Sequence, residues 1–90
     1  MQLRFSQAAR ADLTRLSDWL GAIDAALAAD AQLAVARRLE LLKLFPAIGS
    51  PLPDGRRKLG VPRFGYLTFY RRKGSIIQIT RIRHAREDWR

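Results

Sequence analysis

The sequence contains no cysteine, which excludes disulfide bonds, thiolate nucleophiles and thiolate metal sites. It also has no apolar run approaching the roughly 20 residues of a membrane-spanning helix. Residues 1–5 lack the apolar segment of a signal peptide, so we expect a cytoplasmic protein that does not enter a membrane. The chain has 90 residues, of which 48% are hydrophobic, and we expect them to form a single domain over residues 1–90.

Acidic residues are scarce in the last third of the chain. Residues 1–55 carry six basic and six acidic side chains, whereas residues 56–90 carry eleven basic side chains against only Glu87 and Asp88. The whole net charge of +9 therefore lies downstream of residue 55. Most of the bases are arginines, whose planar guanidinium binds carboxylate or phosphate through paired hydrogen bonds. The pattern predicts an anionic partner for the C-terminal third, and the alternative is a solvated basic face that only maintains solubility.

A strand and a helix are predicted at the start of the chain. Leu3 and Phe5 alternate with polar residues as in a short strand, and Ser6 is suited to cap the helix that follows. Apolar residues then recur at spacings of three and four, which places them on one helical face: Ala9, Leu13, Leu16, Leu20, Ile23 and Leu27. Asp12 and its polar neighbours are expected to point away from that face.

A second helix and a sheet are predicted downstream. Asp30 is expected to cap the second helix, which ends at Pro46 and forms an antiparallel hairpin with the first. A loop rich in proline and glycine follows, and strands are expected at residues 57–59, 64–72 and 76–83. This order, strand, helix, helix, strand, strand, strand, predicts an α+β domain with the hairpin packed on one face of a small antiparallel sheet.

The last predicted strand breaks its own alternation. Ile77 and Ile79 share one face, whereas Ile82 falls out of phase with them. The break indicates either a strand covered on both faces or a bulge near Arg81.

The C-terminal residues 80–90 combine the only histidine, four arginines, two carboxylates and a tryptophan. Together with the segment Gly65-Tyr66-Leu67-Thr68-Phe69-Tyr70-Arg71 and the hairpin between them, they resemble the C-terminal half of the RelE/ParE toxin superfamily, particularly its ParE-like branch. Residues 45–51 resemble the loop between helices and sheet in that family, and residues 6–13 resemble its entry into the first helix. The resemblance covers most of the chain.

This resemblance implies the toxin of a type II toxin–antitoxin pair. The implied fold is a helical hairpin on a twisted antiparallel sheet, and the implied partner is a cognate antitoxin, ParD-like or related, bound in a toxin–antitoxin hetero-oligomer. No cofactor and no metal is implied. The targets known in the superfamily are the ribosome with its messenger RNA, and DNA gyrase.

One position helps to choose between these targets. RelE-like members, which cut messenger RNA on the ribosome, place an arginine directly after the Gly-Tyr pair, and here Leu67 stands there. Loss of a cation that stabilises charge on the phosphate counts against a ribonuclease. ParE-like members inhibit gyrase through a binding surface. The resemblance therefore favours gyrase inhibition, with a ribosome-dependent messenger RNA endonuclease and a basic nucleic-acid-binding module as alternatives.

The expected target contacts cluster at the end of the last strand: Arg81, Arg83, His84, Arg86 and Trp89. In a ribonuclease, His84 would be the general acid and Arg63, Arg81 or Arg83 would clamp the phosphate. A structural role is favoured for His84, bonded to backbone or to Asp88, and packing against the core is favoured for Trp89. A metal site built from His84, Glu87 and Asp88 is not expected, because no second ligand cluster exists elsewhere.

The expected antitoxin contacts are Leu41, Leu44, Phe45 and Arg71. The first three widen the apolar face of the second helix, either as core or as a groove for an antitoxin helix. Tyr66 and Tyr70, interleaved with arginines in the sheet, are either ordinary strand formers or a platform on which RNA bases stack.

Overall fold

The computed structural model describes residues 1–86 as a strand, two helices and four further strands. In chain order these are β1 (Gln2–Phe5), α1 (Gln7–Ile23), α2 (Ala25–Leu44), β2 (Ser50–Pro51), β3 (Arg57–Val61), β4 (Tyr66–Lys73) and β5 (Ile76–His84). The α+β class and the order of the elements are confirmed. β2 is a two-residue strand inside the loop that was predicted to lack regular structure. Neither helix combines the length and the apolar character that a membrane span requires.

The helical hairpin is closed by a single residue, Asp24. Its backbone N–H donates to the carbonyl of Leu20 at 2.8 Å and ends α1, while its Oδ1 accepts from the N–H groups of Ala26 and Leu27 and begins α2. The prediction that Asp30 caps the second helix was therefore wrong. Asp24 has the extended backbone of an N-cap (φ −160°), and the alanine-rich stretch after it is already helical when it reaches Asp30.

The predicted cap of the first helix is confirmed. Ser6 Oγ accepts a hydrogen bond from the N–H of Ala9 at 3.0 Å, which satisfies one of the amides left open at a helix start. The same hydroxyl donates to the carbonyl of Thr80 at 2.9 Å. One side chain thus begins α1 and ties that end to β5.

The sheet has the strand order β1-β5-β4-β3-β2. β1 pairs with β5 in parallel and the remaining pairs are antiparallel, so the sheet is mixed. The helical hairpin between β1 and the later strands supplies the long crossover that a parallel pair requires. In the β4–β5 ladder Phe69 pairs with Arg81 and Tyr70 with Ile79, which leaves Thr80 as the extra residue of a bulge. This bulge returns Ile82 to the core side, as the broken alternation indicated.

The core lies between the helices and one face of the sheet. It is built from buried residues of both helices and of β3, β4 and β5: Ala9, Leu16, Leu20, Ala28, Ala31, Val35, Leu39, Leu42, Leu59, Val61, Tyr66, Tyr70, Ile77, Ile79 and Ile82. Phe69 is also buried but lies outside this cluster, where the guanidinium of Arg56 sits 5.1 Å from the centre of its ring. The helices therefore leave one face of the sheet to other side chains.

Candidate binding surfaces

The end of β5 is anchored to α1 by Asp12, a carboxylate that is only 4% exposed. Asp12 accepts hydrogen bonds from Nε of Arg81 at 2.8 Å and from Nη2 of Arg81 at 2.9 Å. Its Oδ2 also accepts from the backbone N–H of Ile82 at 3.0 Å. A buried carboxylate is tolerated only when it is paired and hydrogen-bonded, and this arrangement provides both. The expectation that Asp12 points away from the core was wrong.

A sequence signal for this contact existed. Asp12 lies three residues after Ala9 and four before Leu16, both of which are buried, so it falls on the core stripe of α1. A carboxylate on a core stripe needs a cationic partner, but its partner Arg81 lies 69 residues away in sequence. Periodicity can therefore identify the need for a partner but not the partner itself.

The ionisation of Asp12 reflects two opposing effects. Burial raises its pKa, but the hydrogen bonds from Arg81 and Ile82 and the charges of Arg81 and Arg83 outweigh burial, so the pKa lies below its ordinary value. Nη1 of Arg83 and Nη2 of Arg15 approach the carboxylate at 4.0 and 3.9 Å. Asp12 is thus the centre of a cluster of three arginines.

The lowered pKa of Asp12 predicts a loss of stability in acid. In the unfolded chain the carboxyl of Asp12 titrates at about pH 3.9. Its contribution to folding is therefore complete above that pH and is lost as the pH falls through the lower pKa of the folded state. We expect the free energy of unfolding of the natural chain, measured with urea at several pH values, to fall below about pH 4 more steeply than that of D12N. The exposed variant D18N should follow the natural chain. Parallel pH profiles for the natural chain and D12N would contradict this assignment.

His84 and Arg83 occupy opposite faces of β5. His84 pairs with Tyr66, and the two rings meet edge to face with centres 6.1 Å apart. Nδ1 of His84 accepts a hydrogen bond from the N–H of Arg86 at 3.1 Å. Arg83 instead pairs with Leu67, on the alternate side of the ladder.

Of the residues proposed for a ribonuclease, Arg81 and Arg83 both approach Asp12, whereas His84 lies on the other face of β5 from Arg83. Arg81 is bound by Asp12, and its side chain remains 41% exposed. Nη2 of Arg63 lies 3.5 Å from Oδ2 of Asp30, and the guanidinium of Arg63 lies over the ring of Phe64. Of the expected target contacts, Arg83 and His84 end β5, Arg86 lies in the turn just after it, and Trp89 lies outside the described residues. Within residues 1–86 no three acidic or histidine side chains converge to hold a metal ion.

A second surface is exposed and apolar. We call the side chains of Leu44, Phe45, Ala47 and Ile48 the apolar patch; they line a cleft of about 620 Å³ together with Pro46. Leu44 is 73% exposed, Phe45 57% and Ile48 43%. Leu41, also expected to contact an antitoxin, is half-buried. Three large apolar side chains side by side on a small protein mark an interaction surface.

A groove lined by arginines adjoins the apolar patch. Arg57, Arg71 and Arg72 line it together with Pro46, Ala47, Gly55 and Tyr70, and its volume is about 270 Å³. We call it the arginine groove. Pro46 and Ala47 border both surfaces, so the two adjoin, and we call them together the depression. Arg71, expected from the sequence as an antitoxin contact, thus lines a groove that adjoins the patch containing Leu44 and Phe45.

The loop between these surfaces is held by Tyr70. Its hydroxyl accepts from the N–H of Gly49 and donates to the carbonyl of Pro46, both at 2.9 Å. Tyr70 is 1% exposed and Tyr66 is 3% exposed, because both face the helices. The alternative that these tyrosines form an RNA-stacking platform was therefore wrong.

Comparison with known proteins agrees with this architecture. A model of the family described as "ParE toxin of type II toxin-antitoxin system, parDE" matches residues 3–89. The chain therefore belongs to the family of ParE toxins and is the toxin of a type II toxin–antitoxin system. A search of the curated proteins found no match.

A solved structure supports the same placement. The chain is similar to a chain of the chromosomal ParDE TA system from P. aeruginosa, with a TM-score of 0.79 and 28% sequence identity. The match covers 93% of this chain and 95% of the other. The two proteins therefore share their architecture over nearly their whole lengths.

Proposed function

We propose that this toxin inhibits DNA gyrase without breaking bonds itself, and that a cognate antitoxin neutralises it. The observation that carries the proposal is that Asp12 already binds Arg81, one of the candidate phosphate clamps, through two hydrogen bonds. His84 packs on Tyr66 on one side of β5, and Arg81 is bound by Asp12. Leu67 occupies the position at which RelE-like members carry the arginine that stabilises charge on the phosphate. Phosphoryl chemistry needs its acid and its cations within reach of one phosphate, so this arrangement favours a toxin that acts by binding.

The end of β5 is the proposed contact with gyrase. Arg83, His84 and Arg86 lie within four consecutive residues there, and the Asp12–Arg81 pair fixes the strand that leads into them. Trp89, which lies outside the described residues, is also proposed as a gyrase contact. In this view Arg81 positions the strand, and its guanidinium contacts gyrase only through the part that Asp12 leaves exposed.

The apolar patch is the proposed contact with the antitoxin. Leu44 and Phe45 stand at the exposed end of α2, and Arg71 lies across the adjoining groove. The ParDE system similar to this chain supports an antitoxin as the partner. Burying such a patch on binding is a large favourable contribution to affinity, at about 25 cal/mol per Å² of apolar surface.

The proposal predicts that charge at the end of β5 sets the potency against gyrase. Purified toxin should inhibit gyrase supercoiling, and R83Q/R86Q should need about tenfold more protein for the same inhibition, since losing charge-assisted contacts of about 1.4 kcal/mol changes affinity by that factor. R10Q/R37Q removes the same charge from exposed sites on the two helices and should inhibit as the natural chain does.

A parallel assay tests the enzymatic alternative. Translating ribosomes treated with the toxin should show no new messenger RNA ends by primer extension. New ends together with unaffected supercoiling would overturn gyrase inhibition. Co-expression of the protein encoded by the adjacent gene should restore growth of cells that express the toxin, and growth arrest that this protein does not relieve would contradict neutralisation by it.

A further inference from the structure

We propose that the arginine groove and the apolar patch together bind a partner segment in which apolar side chains are followed closely by carboxylates. The inference rests on the proposed function for the identity of the partner, the antitoxin. It adds the chemistry by which that segment is recognised, and it adds Arg57 and Arg72 to the residues that recognise it.

Among residues 1–86, no carboxylate lies within ion-pair distance of the three arginines of the groove. Arg57 donates to the carbonyls of Ala47 and Gly49, Arg72 donates to that of Gly74, and Arg71 donates to that of Asp54 at 3.2 Å. Nε of Arg71 is buried and has no acceptor among the described residues. A buried N–H without an acceptor is destabilising, and a bound carboxylate would give Arg71 the paired acceptor that its guanidinium fits.

The nearby acidic side chain does not fill this need. Asp54 accepts from the backbone N–H of Arg56 at 3.0 Å and from its Nε at 2.8 Å. These two hydrogen bonds lower the pKa of Asp54, with a smaller contribution from the charge of Arg71. Asp54 is thus occupied by Arg56, and the groove keeps an excess of positive charge.

The apolar patch decides what kind of anion is expected. A polynucleotide would present phosphates to the arginines and could stack a base on Phe45, but it has no aliphatic side chains to pack on Leu44 and Ile48, which lie on the other side of Pro46 and Ala47. A peptide that carries both apolar and acidic side chains satisfies the two halves at once. The shared border places the apolar anchor and the carboxylates of that peptide within a few residues of each other.

The depression is also held in place before any partner binds. The hydroxyl of Tyr70 and the guanidinium of Arg57 together fix the carbonyls of Pro46, Ala47 and Gly49. A binding surface that is already ordered loses less conformational entropy on association. The loop between the two surfaces is therefore expected to change little on binding.

The test uses fluorescein-labelled peptides of defined sequence and the full-length toxin. The probe peptide carries paired leucines followed by a run of glutamates; one control replaces the glutamates by glutamines, and the other replaces the leucines by serines. We expect only the probe to bind well by fluorescence anisotropy, and R71Q/R72Q to weaken it about tenfold, the equivalent of about 1.4 kcal/mol. R10Q/R37Q should bind the probe as the natural chain does, and thermal unfolding should show that both double variants are folded.

Two results would overturn the inference: equal binding of the probe and its glutamine control, or unchanged binding by folded R71Q/R72Q. Either result leaves the proposed function intact if the toxin still inhibits gyrase and the adjacent gene product still neutralises it. A third result would also overturn the inference. If a single-stranded oligonucleotide binds the natural chain more strongly than the probe does, and R71Q/R72Q weakens that binding, the groove is assigned to phosphate.

Discussion

Replacing Arg81 by methionine is expected to lower the free energy of unfolding at pH 7 by about 3 kcal/mol, because it leaves a buried carboxylate without its partner. Asp12 would keep the N–H of Ile82 but lose both hydrogen bonds of the guanidinium. The other cations near it approach no closer than 3.9 Å and do not replace a bidentate pair. Urea unfolding followed by circular dichroism measures the change.

Two variants make this expectation specific. R10M makes the same replacement at an exposed position of α1 and should change stability by less than about 0.5 kcal/mol. D12N/R81M removes the buried charge but keeps an oxygen acceptor for the N–H of Ile82, so it should be more stable than R81M alone. R81M as stable as R10M would show that the Asp12–Arg81 pair does not hold β5 to α1.

Replacing Gly49 by alanine is expected to destabilise the fold by about 2 kcal/mol through overpacking. A Cβ at this position would lie 2.7 Å from the hydroxyl of Tyr70, 2.8 Å from its ring and 2.9 Å from the carbonyl of Lys58. Tyr70 is buried in the core and the carbonyl belongs to the sheet, so neither can move away cheaply. The loop that joins the apolar patch to the arginine groove should shift as a result.

The control for Gly49 is Gly60, in β3. A Cβ at Gly60 meets no atom within 4 Å, so G60A should leave stability nearly unchanged. Thermal unfolding of both variants measures the difference. Binding of the leucine–glutamate peptide should weaken in G49A and not in G60A. Equal stability of the two variants would show that the contact between Gly49 and Tyr70 does not constrain the loop.

The elements of the fold could be predicted where local signals are strong. The spacing of apolar residues located α1, and Ser6 marked its start because capping depends only on neighbours in sequence. The phase break at Ile82 pointed to the bulge. The cap of the second helix was expected at Asp30 and lies at Asp24; both side chains suit that role, and the backbone conformation at Asp24 distinguishes them.

The binding surfaces were predicted less completely. Leu44, Phe45 and Arg71 were expected to contact an antitoxin, but the groove also depends on Arg57 and Arg72, which arrive from two different strands. Their approach depends on the register of β3 against β4, and no local pattern specifies that register. Arg81 was expected to contact a target, whereas its main partner is a carboxylate of α1.

The amino-acid sequence by itself determined the class of fold, the segregation of positive charge in the last third and the membership of the ParE toxin family. These follow from periodicity, composition and motif, which are properties of neighbouring residues. Only the tertiary structure decided which arginines pair with a carboxylate of residues 1–86 and which line a groove instead. That division depends on contacts such as the one between Asp12 and Arg81, 69 residues apart, which form only when helix packing, strand register and the bulge are all in place.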